Sequence, residues 1–287
     1  MQISLRTTSK TESFWGLPLI PLPVLVSLYA ASFSNALRGI VCIMETMIQE
    51  NIQRITARIT AACKKAGRNP QELQLLLATK TVEPERILQA FAAGCTLIGE
   101  NKVQELRDKY EALAAVPHTA HFIGHLQSNK IKEVVQYAQC IQSVDNLDLA
   151  AKLEHRLAQE DKSMDILIQV NTSAEESKFG CKPEETESLV RAISCFPHIA
   201  IRGFMTIGAL SAGEDKTREC FHCLKQIQKR IIAAAIPSVS ADILSMGMSG
   251  DLEIAVEEGS TMLRIGSAVF GERHYPDSYY WNENSPV

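Results

Sequence analysis

The sequence predicts an α/β protein built on a single closed (β/α)8 barrel, and three observations predict it. Eight short apolar runs lie between residues 73 and 266, each bounded by polar or glycine residues and each followed by a helical pattern. The runs are nearly continuous in apolar character, as suits a parallel sheet covered by helices. Eight such units in about 220 residues favour closure into a barrel. An open doubly wound sheet is the alternative, but no Gly-x-Gly-x-x-Gly follows the first run.

The elements follow in order. Residues 45–66 read as an extra N-terminal amphipathic helix: Ile48, Ile52, Ile55, Ile59, Ala62, Cys63 and Ala66 recur at three- and four-residue steps. Gly67 and Pro70 end it. The strand runs are Leu73–Ala78, Thr96–Gly99, His121–Gly124, Cys140–Val144, Ile166–Asn171, Ile199–Thr206, Asp242–Met246 and Met262–Gly266. Between them, Val103/Leu106/Tyr110/Leu113, Leu147/Ala150/Leu153/Leu157 and Cys220/Cys223/Leu224/Ile227/Ile231 mark apolar helix stripes.

Composition excludes several classes. The 287 residues hold 29 Lys and Arg against 33 Asp and Glu, a net charge of −4, which argues against a nucleic-acid binder working by bulk phosphate attraction. An apolar share of 46% and a charged share of 22% belong to an ordinary soluble globular chain. The eight cysteines are scattered through apolar stretches, which reads as reduced thiols in a cytosol-like compartment. The one close pair, Cys220 and Cys223, lacks a second ligand pair and falls on a helix stripe, so it reads as core and no metal site is expected.

Residues 1–43 are a different kind of sequence. Their one acidic residue is Glu12, and Arg6 and Lys10 precede an apolar run from Phe14 to Ala31 broken by Pro18, Pro21 and Pro23. Three readings stay open: an upstream start codon ahead of Met44 or Met47, an organelle or export signal, or a membrane anchor. No membrane association is expected of residues 44–287, the barrel domain.

In such a barrel the chemistry sits where strands end. Lys80 follows the run Leu75-Leu76-Leu77-Ala78. A lysine at the end of a buried strand is partly desolvated, which favours the neutral amine that attacks a carbonyl. A surface lysine just beyond the strand is the plain alternative. Arg264-Ile265-Gly266-Ser267 opens the last helix. Backbone N–H groups there can hold a phosphate, with Ser245 and Ser249 adding hydroxyls from the neighbouring loop. Gly266 could equally serve close packing alone. An amine and a phosphate cradle across one mouth fit a sugar phosphate on a Schiff-base aldolase or pyridoxal 5′-phosphate (PLP). Arg264 favours PLP, because a guanidinium facing the pyridine nitrogen cannot accept its proton.

The motifs Ala78-Thr79-Lys80-Thr81, Gly99-Glu100-Asn101, His121 to Lys130, Ser245-Met246-Gly247-Met248-Ser249-Gly250-Asp251 and Arg264 to Arg273 together resemble the YggS/PROSC family of pyridoxal-phosphate homeostasis proteins. The resemblance covers about residues 45–275, in order. It implies a PLP fold-type III barrel, similar to that of alanine racemase, with PLP as an internal aldimine on Lys80. By the same resemblance Asn101 and Met205, with Thr206, line the ring pocket. Ser245, Ser249, Gly266 and Ser267 hold the phosphate, and Arg264 faces the pyridine nitrogen. The implied role is intracellular vitamin B6 homeostasis, cytoplasmic unless residues 1–43 redirect the chain, with secondary effects on amino-acid and keto-acid pools.

Holding the cofactor does not make an enzyme. Racemases that resemble this barrel add a second β-domain bearing a catalytic tyrosine, whereas this chain ends about 20 residues after its eighth run. The expectation is therefore a PLP carrier with little or no catalysis, monomeric or weakly dimeric, with PLP-dependent apoenzymes as candidate recipients. A minimal amino-acid racemase and an aldolase are the competing readings. His125 is expected to be structural, as a helix cap or a donor to a backbone carbonyl. The stretch Glu175 to Gly180 is expected to form an ordered rim loop, and Glu184-Glu185-Thr186-Glu187 to open a helix where its dipole favours negative charge.

Overall fold

The structure is a computed structural model that describes residues 47–175, 177–209 and 213–271. The chain divides into two units, Met1–Thr46 and Met47–Val287, and every described residue belongs to the second. The readings of residues 1–43, and the motif residues Glu272 and Arg273, lie outside the described residues.

Eight strands close in chain order into a parallel barrel. They are β1 (Gln74–Ala78), β2 (Leu97–Glu100), β3 (Thr119–Phe122), β4 (Cys140–Val144), β5 (Met164–Gln169), β6 (Ile199–Met205), β7 (Val239–Ser245) and β8 (Met262–Ile265). The seam is made by β8 against β1, from Gln74 opposite Met262 to Leu77 opposite Ile265. Each of the eight expected runs contains or overlaps one strand, and the barrel alternative to the open sheet is the one realised.

The helices follow the same alternation. Helix α1 covers 47–66. Then come α2 (Pro84–Ala92), α3 (Val103–Leu113), α4 (Ile131–Tyr137), α5 (Leu147–Glu160), α6 (Thr186–Ile193), α7 (Glu214–Ala233), α8 (Leu252–Glu257) and α9 (Ser267–Phe270). Local chemistry sets their ends. Pro84 fits the first turn of α2, where its missing N–H costs nothing. The Asn146 side chain accepts the Leu149 N–H at 2.8 Å and so starts α5. Gly67, at φ +66°, ends α1. Glu187 lies in the first turn of α6, where an anion is favoured.

Strand parity divides the core in two. Leu77, Ile98, Phe122, Ile141, Ile166, Ile168, Phe204, Leu244, Leu263 and Ile265 join the helix stripes in one large apolar cluster. Leu76, Ala78, Ile123 and Met262 form a separate cluster, and Cys140, Leu167 and Met205 another. Successive strand residues face opposite sides of the sheet, so these smaller groups fill the barrel interior. Cys220 is buried on the α7 stripe and Cys223 packs against it, as expected of core thiols. Two stripe members differ from expectation. Leu147 is exposed because it is the first residue of α5, and Tyr110 is exposed on α3, where its ring meets Tyr137 edge-on at 5.2 Å.

Candidate functional site

Three adjacent strands, β7, β8 and β1, carry the chemistry at their C-terminal ends. Lys80 lies two residues beyond Ala78 and shares the parity of the interior residues Leu76 and Ala78. It is 6% exposed. Arg264 sits on β8 with the parity of the interior Met262, opposite Leu76 of β1, and is 5% exposed. Closure of the barrel thus puts the amine and the guanidinium on neighbouring strands.

Arg264 is fixed by three donated bonds. Nη1 reaches the Ser245 carbonyl oxygen at 2.6 Å and the Ser245 hydroxyl at 2.8 Å, and Nη2 reaches the Thr206 carbonyl at 2.8 Å. Burial pulls its pKa down to about 10, with Asp251 opposing, so it stays charged at neutral pH. The chain of bonds continues inward. Ser245 Oγ donates to Gln142 Oε1 at 2.6 Å, and Gln142 Nε2 lies 2.8 Å from His121 Nδ1. Burial pulls His121 down to about 4, so it is neutral, and its Nδ1 accepts from the amide. The Ser245 proton is therefore spent on Gln142. The structure places Ser245 beneath the arginine, fully buried, whereas the sequence reading gave its hydroxyl to a phosphate.

The other expected phosphate residues come together. The Ala268 N–H donates to Ser249 Oγ at 3.3 Å, and the Ser267 hydroxyl meets the same oxygen at 3.4 Å. Gly266 accepts the first helical bonds of α9, from Val269 and Phe270. The leading N–H groups of a helix have no carbonyl within it to bond, which makes this end a place for an anion. Gly247 lets the β7 loop pass close beneath. It has φ +95°, and a Cβ there would fall 2.4 Å from the Ala255 Cβ. Helix α1 braces the loop from outside, through Arg58 Nη2 to the Ser249 carbonyl at 3.2 Å.

Asn101 follows β2 and is buried. Its backbone oxygen would sit 1.9 Å from a Cβ on Gly124, so only glycine lets the β3 end approach it. Met205 is buried at the end of β6, opposite Ser245 of β7, and the Thr206 hydroxyl pairs with that of Thr172 at 2.9 Å.

A buried ionic cluster adjoins Lys80 that sequence reasoning did not find. Lys109 Nζ donates to Glu100 Oε1 at 2.8 Å, Glu105 Oε2 at 2.7 Å and the Thr79 carbonyl at 2.8 Å. Thr79 Oγ1 donates to Glu100 Oε1 at 2.7 Å, and the Thr81 N–H to Glu105 Oε2 at 2.7 Å. Burial pushes Glu100 up to about 7 against the pull of Lys109. Burial would lower Lys109, but Glu100 and Glu105 together hold it above the usual lysine value. The i, i+4 spacing of Glu105 and Lys109 on α3 was the available signal.

The stretch 175–180, in which Glu176 lies outside the described residues, is anchored as the expected rim loop. Lys178 Nζ donates to the Gly208 carbonyl at 2.8 Å, and the Gly180 N–H to Asp145 Oδ2 at 3.2 Å. His125 makes a ring contact in place of the expected cap or carbonyl bond. Its ring stacks on Phe179 with centroids 3.7 Å apart, and its buried Nδ1 has no hydrogen-bond partner.

Fold and site together define a barrel of the alanine-racemase type. Residues 47–274 match the family described as "Alanine racemase, N-terminal domain". The chain belongs to the family of pyridoxal phosphate homeostasis proteins: it is 39% identical over 229 residues to the "Pyridoxal phosphate homeostasis protein" of Aquifex aeolicus, across 79% of this chain and 98% of that one. Among solved structures, PipY of Synechococcus elongatus PCC7942 with PLP bound superposes with a TM-score of 0.69 at 29% identity, over 78% of this chain and 100% of that one. An alanine racemase of Clostridium difficile 630 superposes with a TM-score of 0.66 at 12% identity, over 81% of this chain and 58% of that one, a likeness of fold alone. No helix among the described residues is long and apolar enough to cross a membrane.

Proposed function

We propose that this protein binds PLP across the barrel mouth, covalently on Lys80, and holds it for intracellular B6 homeostasis rather than for catalysis. The observation that carries the reading is Arg264, a buried guanidinium fixed by Ser245 and Thr206 on the strand next to Lys80. The donor set suits the ligand. PLP supplies an aldehyde that condenses with an amine, a pyridine nitrogen and a phosphate dianion. Lys80 Nζ would hold the aldehyde carbon covalently, the condensation releasing one water. Arg264, which has no acceptor, leaves the pyridine nitrogen unprotonated. Ser249, Gly266 and Ser267 take the phosphate at the start of α9. Asn101 and Met205 border the ring. The PLP-bound PipY structure and the name shared by the curated relatives support this reading.

A carrier needs the amine and the grip but no second acid or base opposite Lys80. The described tyrosines, Tyr110 and Tyr137, meet edge to face at the outer helices α3 and α4. An unprotonated pyridine nitrogen also makes a weaker electron sink. PLP-dependent apoenzymes are the recipients this role implies.

Borohydride reduction tests the reading. The purified protein should absorb in the violet, and after reduction the pyridoxyl group should map to the peptide bearing Lys80 and be absent in Lys80→Ala. An adduct on another side chain, or none, overturns it. Racemisation of L-alanine or L-serine at an ordinary enzyme rate of about 1–1000 per second would overturn the carrier role.

A further inference from the structure

We propose that Glu105 and Lys109, neighbours on one face of α3, are positioning residues that set where the Lys80 amine stands. The inference rests on the reading of Lys80 as the anchoring amine. Lys80 lies between two peptide groups, and the ionic pair holds both. Lys109 Nζ donates to the Thr79 carbonyl at 2.8 Å, on the peptide that enters Lys80. The Thr81 N–H donates to Glu105 Oε2 at 2.7 Å, on the peptide that leaves it. The 2.7 Å contact between Lys109 Nζ and Glu105 Oε2 joins the two holds into one clamp.

The turn needs such a hold. Thr81 has φ +60°, a conformation that β-branched residues rarely adopt and that persists only where its surroundings impose it. Thr81 Oγ1 also donates to the Lys80 carbonyl at 2.7 Å, which tightens the turn further. Beneath, Glu100 is fully buried and takes both Lys109 Nζ and Thr79 Oγ1. Stability alone is a poor reason for this cluster, because buried ions are costly and apolar side chains of the same volume hold a core as well or better. What apolar side chains cannot do is grip a peptide carbonyl and a peptide N–H on either side of one lysine.

The test separates amine placement from binding of the rest of the ligand. Two compounds are used: PLP, and pyridoxine 5′-phosphate, which keeps the ring and phosphate but carries an alcohol in place of the aldehyde. Glu105→Met removes the acceptor of the Thr81 N–H while leaving the Lys109–Glu100 pair. It should weaken PLP binding about tenfold and slow the appearance of the borohydride-trapped adduct by a similar factor, as expected for a misplaced reacting group. Pyridoxine 5′-phosphate should bind as it does to the unaltered protein. Glu105→Gln keeps an oxygen acceptor and should restore most of the PLP affinity. Glu105→Asp keeps the charge but withdraws the acceptor by one methylene, and should fall between; it decides the matter if circular dichroism shows Glu105→Met unfolded. Equal losses for both compounds, or no loss for PLP, overturn the clamp. An unaltered protein that yields no adduct on Lys80 overturns the PLP reading and the clamp with it, whereas an adduct on Lys80 that is insensitive to these variants overturns the clamp alone.

Discussion

Arg264 meets Ser245 twice, at the carbonyl oxygen 2.6 Å away and at the hydroxyl 2.8 Å away. The hydroxyl donates its own hydrogen bond to Gln142 Oε1, so Ser245 links the guanidinium to the barrel interior. Ser245→Ala leaves the carbonyl contact in place but strips Gln142 Oε1 of this donor. An acceptor left unsatisfied in a buried site costs about 1–3 kcal/mol. The unliganded variant should melt lower by roughly 2–4 °C for each kcal/mol lost. Ser249→Ala, whose hydroxyl lies at the start of α9, should leave the melting point nearly unchanged and weaken PLP instead. If Ser245→Ala weakens PLP without lowering the melting temperature, the serine serves the ligand directly.

Gly124 and Asn101 make a second close approach. A Cβ at Gly124 would stand 1.9 Å from the Asn101 carbonyl oxygen, which is backbone and cannot swing aside. Gly124→Ala should cost about 3 kcal/mol or more, the upper end of overpacking penalties. The β2 end would shift, and PLP affinity should fall with it. A thermal melt within a degree of the unaltered protein would refute this account.

The barrel was legible because each strand is a separate apolar run between polar or glycine residues, and Lys80, Asn101, Ser249, Arg264 and Gly266 stand where such runs end. The supports of these residues were not legible. Gln142 and His121 are polar residues inside the barrel, and nothing local in the sequence shows that parity brings them under Ser245. Glu100 sat in view at a strand end, but its partner Lys109 is nine residues away on α3. The partners of Ser245 were hidden for the same reason: its hydroxyl stands near a glycine loop, as a phosphate donor would, and in the structure it bonds Gln142 and Arg264. His125 was expected to cap or donate, and it stacks on Phe179, which comes from a rim loop more than fifty residues away.

Glu100 predicts a pH dependence of stability. Its folded pKa is raised to about 7 by burial, against an ordinary carboxylate value, with Lys109 and Glu105 as the charged groups beside it. Folding therefore favours the protonated form. Where the folded state binds more protons than the unfolded one, stability falls as pH rises. Glu100 should thus contribute a loss of stability that builds from about pH 4.5 to about pH 7 and then levels off. Glu100→Gln keeps the shape and an acceptor for Lys109 but cannot titrate. Melting temperatures at pH 5 and pH 7.5 should differ less in the variant than in the unaltered protein, all else being equal. An identical pH dependence in the two would show that Glu100 does not change its protonation over this range.

Helix α1 predicts a remote effect on the phosphate site. Arg58 grips Glu253 of α8 through two bonds, at 2.7 and 2.9 Å, and with the same Nη2 holds the Ser249 carbonyl at 3.2 Å. The pair is partly exposed, with Arg58 at 39% and Glu253 at 44%, so it adds at most about 1 kcal/mol to stability. Its larger effect falls on the loop that carries Ser249. Arg58→Ala should lower PLP affinity several-fold with little change in melting temperature. Pyridoxal, which has the aldehyde but no phosphate, should bind to the variant as before. Arg58→Lys keeps the charge but cannot reproduce the planar two-bond fork, and should recover only part of the loss. Equal losses for PLP and pyridoxal would place the effect of Arg58 on the barrel as a whole, and no loss for PLP would mean that the loop holds its shape without the helix.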